Sequence, residues 1–259
     1  KSTLSHAGPM TRTVSDAALM LTVIANPDTR DWHALPYDGA DYSSTIDRNI
    51  DGLKVAFSPA LGLDVAVDPE VAETVSNAAQ KFSNLGASVE TIDLNWPIPP
   101  RDILQVLFTS SAAKMMSMLT EKQRDQIEPT LAAMAVEGEK LDMMSLKTAE
   151  LDRTANGIYM NHVLARYDVL LSPTLPVVAF DAGQPCPDSY NKDPFGWIPF
   201  TPPFNLTGQP AASIPCGFSQ NGLPIGLQIV GPMYGDAMVL NVSRAFERAH
   251  PFADKRPVL

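Results

Sequence analysis

Ser111-Ala112-Ala113-Lys114 is the stretch of this chain that most directly suggests chemistry. A serine and a lysine three residues apart on a helix share a face. Lys at that spacing can take the serine proton and leave an alkoxide to attack a carbonyl. Lys147-Thr148-Ala149 is a faint counterpart of the K-T-G element that accompanies S-x-x-K. The S-x-N element between them is missing, and Ala149 stands where a Gly would admit substrate. Ser-Lys acyl transfer through Ser111 and Lys114 is therefore one reading, and a helix face that happens to carry both residues is the other. No G-x-S-x-G elbow occurs. His6, His33, His162 and His250 form no H-E-x-x-H and no His/Cys zinc pattern. Asp28, Asp31 and His33 cluster in a segment that reads as a solvated turn. Cys186 and Cys216 are the two cysteines and are expected to be free thiols.

The elements that must position any site follow from periodicity. Thr13-Val14-Ser15-Asp16 reads as a capped helix start, with Val14, Ala17, Ala18, Leu21 and Ile24 on one face and Asn26-Pro27 as the stop. Residues 28–51 lose periodicity and read as a loop. A β-α-β unit spans 53–94: strand Leu53–Phe57, a helix opened by Asp68-Pro69-Glu70 and stopped by Gly86, and strand Val89–Leu94. Its first loop lacks G-x-G-x-x-G, so nucleotide binding is not indicated. Residues 101–166 read as helical, with Ile103, Leu104, Leu107, Phe108, Ser111, Met115 and Met118 on one face. The methionine-rich stripe there reads as adaptable core. Residues 121–139 read as an exposed helix pair or loop.

The last third, 168–259, is expected to hold the late strands and a closing helix. Asp168–Ser172 reads as a strand. The Pro-rich stretch up to Pro203, with Tyr190, Phe195, Trp197 and Phe200, suits a pocket-lining loop. Ala211–Pro215 and Ile225–Val230 read as strands joined at Asn221-Gly222, a hairpin signal. Asp236 is expected to cap the final helix.

Composition bounds the rest. The chain has 259 residues, 45% hydrophobic and 19% charged, within the globular range. No apolar run is long enough for a membrane span. A net charge of −10 works against nucleic acid and anionic membranes as partners. An acidic chain with no visible signal peptide reads as cytoplasmic.

Several ordered motifs together resemble the amidase signature family, the Ser-Ser-Lys amidohydrolases. Leu4-Ser5-His6-Ala7-Gly8-Pro9-Met10-Thr11-Arg12-Thr13-Val14-Ser15-Asp16-Ala17-Ala18 is similar to the segment closing the family's signature region. Asp168-Val169-Leu170-Leu171-Ser172-Pro173-Thr174-Leu175-Pro176 resembles a later core strand. Phe200-Thr201-Pro202-Pro203-Phe204-Asn205-Leu206-Thr207-Gly208-Gln209-Pro210-Ala211 and Gly222-Leu223-Pro224-Ile225-Gly226-Leu227-Gln228 resemble the C-terminal strands, and Ala249-His250-Pro251-Phe252 also fits.

The resemblance implies an α/β fold, part of a mixed β-sheet with a mostly parallel core flanked by helices. It covers residues 1–259 as the C-terminal portion of a single amidase domain. In the family the catalytic Lys, cis-Ser, nucleophilic Ser and oxyanion loop precede the G-P-M-T-R segment, which here begins at Gly8. No catalytic residue is therefore expected in this chain, and the chain alone is expected to be inactive. The implied reaction is hydrolysis of a small-molecule linear amide through an acyl-serine, with no metal or organic cofactor. By the same analogy Thr174, Leu175, Phe200, Thr201, Phe204 and Asn205 are candidates for substrate binding, although Phe200 and Phe204 equally suit the core. Expected partners are the N-terminal portion of the same protein and a second copy in a homodimer. A-subunits of glutaminyl-tRNA amidotransferases also resemble the chain. They usually carry Asp three residues before the Thr matching Thr201, to hold an ammonium; Ile198 stands there and cannot. An apolar or aromatic amide is favoured over glutamine. A non-catalytic α/β binding or regulatory domain is the competing reading, weakened because the strands at 210–230 have no evident sequence neighbours.

Overall fold

The computed structural model describes residues 3–31, 33–36, 39–190, 193 and 195–256. Its centre is a five-stranded sheet in the order β2-β1-β3-β5-β4, formed by β1 (Lys54–Phe57), β2 (Ser88–Thr91), β3 (Val169–Pro173), β4 (Ala211–Phe218) and β5 (Pro224–Val230). β1 pairs in parallel with both β2 and β3, and β5 pairs antiparallel with β3 and β4. The sheet is thus mixed, with a parallel core. The strands at 210–230 do have neighbours, contrary to the expectation from sequence: β5 joins β3 with Leu170 opposite Val230 and Ser172 opposite Gln228. β3 is buried along its whole length, as strands covered on both faces must be.

One face of the sheet is sealed by three helices. α1 (Val14–Ile24) is capped by Thr13, whose Oγ1 accepts from the Asp16 amide and donates to the Asp16 carboxylate. α2 (Pro69–Asn84) begins at the Asp68 cap and Pro69, and buries Val71, Val75, Ala78, Ala79 and Phe82. α8 (Asp236–Ala249) stacks Phe246 on Phe82 with ring centroids 5.3 Å apart. These side chains meet Val55, Phe57, Val169, Leu171, Leu227 and Ile229 in the larger core. Glu247 of α8 accepts from the Val14 amide at 2.9 Å and pairs with Arg244 at 2.6 Å, so a buried carboxylate also caps α1. Asp236, expected to cap α8, is instead its first residue: the cap position is Gly235 and no side chain caps the helix.

The other face receives α6 (Met143–Leu164) and the short α7 (Pro202–Thr207). Met160, Val163, Leu164, Phe200 and Phe204 pack there on Ala56, Leu170 and Val230. α3 (Pro100–Ser117) lies against α6 and α7 and buries Ile103, Leu104 and Leu107. Residues 121–139 form a helix pair, α4 (Glu121–Arg124) and α5 (Pro129–Glu139). The methionine stripe is not core: Met115, Met118, Met143 and Met144 are exposed and only Met160 is fully enclosed. Beyond Leu107, α3 buries Thr109 and Ala112 on the side where Gly138 of α5 packs, whereas Met115 and Met118 point away from that contact and stay exposed.

The hairpin between β4 and β5 closes with Ser219 N–H donating to Leu223 O at 2.8 Å around a Gln220-Asn221-Gly222 loop. Gly222 takes φ +76°, the left-handed position of a three-residue loop, rather than a two-residue turn. No described helix is long and apolar enough to cross a membrane.

Candidate functional site

A row of hydrogen-bonded polar side chains lies on the α6/α7 side of the sheet, near the carboxyl end of β3. Crevices at that end are where open α/β sheets bind ligands. Alternation of side chains puts Leu170, Ser172 and Thr174 on this side, with Val230, Gln228 and Gly226 across from them on β5. The row runs from apolar to polar as it leaves the core. Gln228 is buried, and its Nε2 donates to Ser172 Oγ and to Phe200 O, both at 3.0 Å. It therefore ties the segment leading into α7 to the sheet. Further out, Thr174 Oγ1 and Ser213 Oγ share a hydrogen bond of 2.8 Å, and the Thr174 amide donates to Gly226 O. A Cβ at position 226 would sit 2.8 Å from both hydroxyls, so the pair needs glycine beneath it. Ser58, at the end of β1, is fully buried with its Oγ unpaired among the described residues.

A cavity of about 1250 Å³ lies between α3 and α6. α3 and its C-terminal cap contribute Leu107, Ser110, Ser111, Lys114, Met115 and Met118; α6 contributes Leu146, Glu150, Arg153, Thr154, Gly157, Ile158 and Asn161. Both sets follow helical spacing, so two helix faces make the walls. Thr3, Leu4, Leu206, Thr207 and Met233 complete the lining. The walls are apolar apart from hydroxyls, one amide and three charges.

Two features of the cavity decide its chemistry. Ser111 Oγ donates to Leu107 O at 2.8 Å, and Lys114 makes no hydrogen bond to it. The S-x-x-K spacing does place both residues in one cavity, but the serine proton goes back to its own helix, so the pair is not an assembled nucleophile and base. Arg153, half-buried, has no carboxylate partner among the described residues. Its guanidinium donates to Leu206 O (2.5 Å), Thr3 Oγ1 (2.5 Å), Thr3 O (2.9 Å) and Asn205 O (3.3 Å). Burial lowers its pKa from the usual arginine value. It stitches the start of the described chain to the end of α7. Nothing local in the sequence signals this role, because every acceptor lies about 50 or 150 residues away.

The six residues named from sequence are distributed differently. Thr174, Leu175, Thr201 and Asn205 are half-buried at the polar end of the sheet and on α7. Asn205 Nδ2 donates to Leu4 O at 2.8 Å and lies 3.3 Å from His6 Nδ1. Phe200 is 0% exposed and Phe204 3%, so both rings pack in the core. None of the six lines the cavity between α3 and α6. The aromatic loop residues find partners nearby: Phe180 on Trp197 at 5.1 Å, and Phe195 on Phe108 of α3 at 5.4 Å. Part of the loop lies outside the described residues. Cys186 and Cys216 are unpaired, and burial raises the Cys216 thiol to about 12, which removes it as a nucleophile. Among the described residues no group of three His, Cys, Asp or Glu could hold a metal ion.

Comparison with known proteins gives one consistent family. The family model described as Amidase matches residues 1–240. An acylamidase from Rhodococcus erythropolis is 34% identical over 259 residues, covering 98% of this chain and 54% of that protein. The A-subunit of the Glutamyl-tRNA(Gln) amidotransferase from Streptococcus pneumoniae is 33% identical, covering 100% of this chain and 57% of that protein. The crystal structure of a bacterial aryl acylamidase of the amidase signature family superposes with a TM-score of 0.84 at 30% identity, over 97% of this chain and 55% of the other. The chain therefore spans about half the length of the relatives it matches.

Proposed function

The chain belongs to the amidase signature family, and from that premise we propose that it is the C-terminal portion of an amide hydrolase cleaving non-peptide C–N bonds through an acyl-serine. The observation that carries this reading is the asymmetry of the sheet. One face is sealed by α1, α2 and α8. The other combines a polar strand end at Ser172, Thr174, Ser213 and Gln228 with a large cavity between α3 and α6. Small-molecule sites have this composition: mostly apolar walls and a few placed polar groups.

In the proposed reaction a serine outside residues 1–259 attacks the amide carbonyl. A cis-Ser relays its proton, and a neutral Lys is the final base. Backbone N–H groups hold the oxyanion, and water releases the acyl group. No metal or organic cofactor takes part. Thr174, Leu175, Thr201 and Asn205, all partly accessible, face the substrate in this proposal. Phe200 and Phe204 set the backbone of α7 from behind. Gln228 fixes the Phe200 carbonyl and so the position of Thr201. Ile198, half-buried ahead of Thr201, supports an apolar or aromatic amide over one carrying an ammonium. A cytoplasmic, linear-amide hydrolase completes the proposal.

The test is intact-mass spectrometry with a fluorophosphonate serine probe. The 259-residue chain of 28.0 kDa should take no adduct, whereas a longer form of the protein that includes the preceding segment should gain one. Labelling of the 28.0 kDa chain itself would overturn the reading, and Ser111 would then be the first residue to change.

A further inference from the structure

We propose that the cavity between α3 and α6 binds an organic carboxylate with an apolar body, and that the Lys114 ammonium reads the carboxylate. Charge is the first indication. The whole chain carries −10, yet the charges facing this cavity are Lys114, Arg153 and Glu150. Glu150 is taken by Lys147 at 2.7 Å. Lys114 makes no ion pair among the described residues. Arg153 spends its donors on neutral oxygens and keeps its positive charge unopposed by a carboxylate. The local field is therefore positive inside an acidic molecule, which selects anions at short range.

Donor chemistry points the same way. Asn161 Oδ1 accepts from the buried Gln209 Nε2 at 3.1 Å, which fixes the amide and leaves Asn161 Nδ2 as a donor at the cavity wall. Ammonium and amide N–H groups suit a carboxylate, and Met115, Met118 and Ile158 are exposed apolar surface for the rest of the ligand. Gly157 gives the wall its depth: a Cβ built there meets nothing within 4 Å. The proposal leans on the amide-hydrolase reading only for the source of the ligand, which is either an amide bearing a remote carboxylate or the acid that hydrolysis releases.

Isothermal titration of the 259-residue chain tests it without requiring catalysis. Succinanilate and the neutral butyranilide differ by the carboxylate, and 4-phenylbutyrate is an acid without an amide. Succinanilate should bind about three- to tenfold tighter than butyranilide at low salt, the range expected for a partly exposed charge-assisted contact. The margin should shrink in concentrated salt. Lys114→Met, at an exposed position, should abolish the margin and leave butyranilide unchanged. Gly157→Leu, which fills open space, should weaken both ligands. If 4-phenylbutyrate matches succinanilate, the released acid is the ligand; if it is much weaker, an amide-bearing acid is. Equal affinity for succinanilate and butyranilide, survival of the margin in Lys114→Met, or no binding at all would overturn the proposal. None of those three results bears on the fluorophosphonate experiment, so the amide-hydrolase reading stands or falls separately.

Discussion

Asp236 opens α8, where the helix dipole favours a negative charge. Burial outweighs the hydrogen bond to its own backbone and raises its carboxyl pKa from the ordinary value. A folded-state pKa raised above the unfolded value means the charged form is the disfavoured one. Stability is then complete below the unfolded pKa, near 3.8, and is lost as pH rises through the folded value. Asp236→Asn should therefore raise the urea midpoint at pH 7 and lose that advantage at pH 3. An equal effect at both pH values would show that the carboxylate is not strained by burial. The sequence reads Asp236 as a cap because Asp commonly caps helices; its burial against the rest of the fold is a tertiary fact. Thr13 and Asp68 were legible as caps because their partners, Asp16 and Glu70, lie within three residues. Arg153 and Gln228 were not, because their acceptors are 28 to 150 residues away.

Helices and strands were legible wherever a face repeats and a turn residue closes it. α2 is the clear instance, with its apolar stripe between Asp68-Pro69 and Gly86. What stays hidden is how close two elements come. Gly138 of α5 rests against α3 so tightly that a Cβ would lie 2.0 Å from Thr109 O, a backbone atom that cannot move aside alone. Gly157 of α6, by contrast, faces open space. Alanine improves helix propensity at both by about 0.5–1 kcal/mol. Gly157→Ala should therefore stabilise by roughly that amount. Gly138→Ala should instead destabilise by about 1–3 kcal/mol, since overpacking forces α3 and α5 apart. Denaturant unfolding of both variants checks the contrast. Two stabilised proteins would mean that α5 can shift away from α3 without cost.

At the scale of the molecule, the sheet has two edges that differ in their protection. β2 carries Glu90, which accepts from Tyr167 Oη at 2.8 Å, and a charged edge resists pairing with another chain. β4 runs Ala211–Phe218 without a charged residue, and its outer edge has no partner among the described strands. Pro215 and the bulge between Pro215 and Gly217 blunt its second half. Residues 211–214 remain available. The family resemblance made the mixed sheet readable from sequence, but not its strand order, since β3 and β5 meet across more than 50 residues. That order decides which edge is open. We expect the 259-residue chain to self-associate through β4 at tens of micromolar, more strongly in salt, which screens the repulsion of a −10 chain. Sedimentation equilibrium should show a weight-average mass rising above 28.0 kDa with concentration. Ala211→Lys, on an exposed position of that edge, should return it towards the monomer. A monomer at every concentration would mean that Pro215 and the bulge protect the whole strand, and that β4 is an edge built to stand alone.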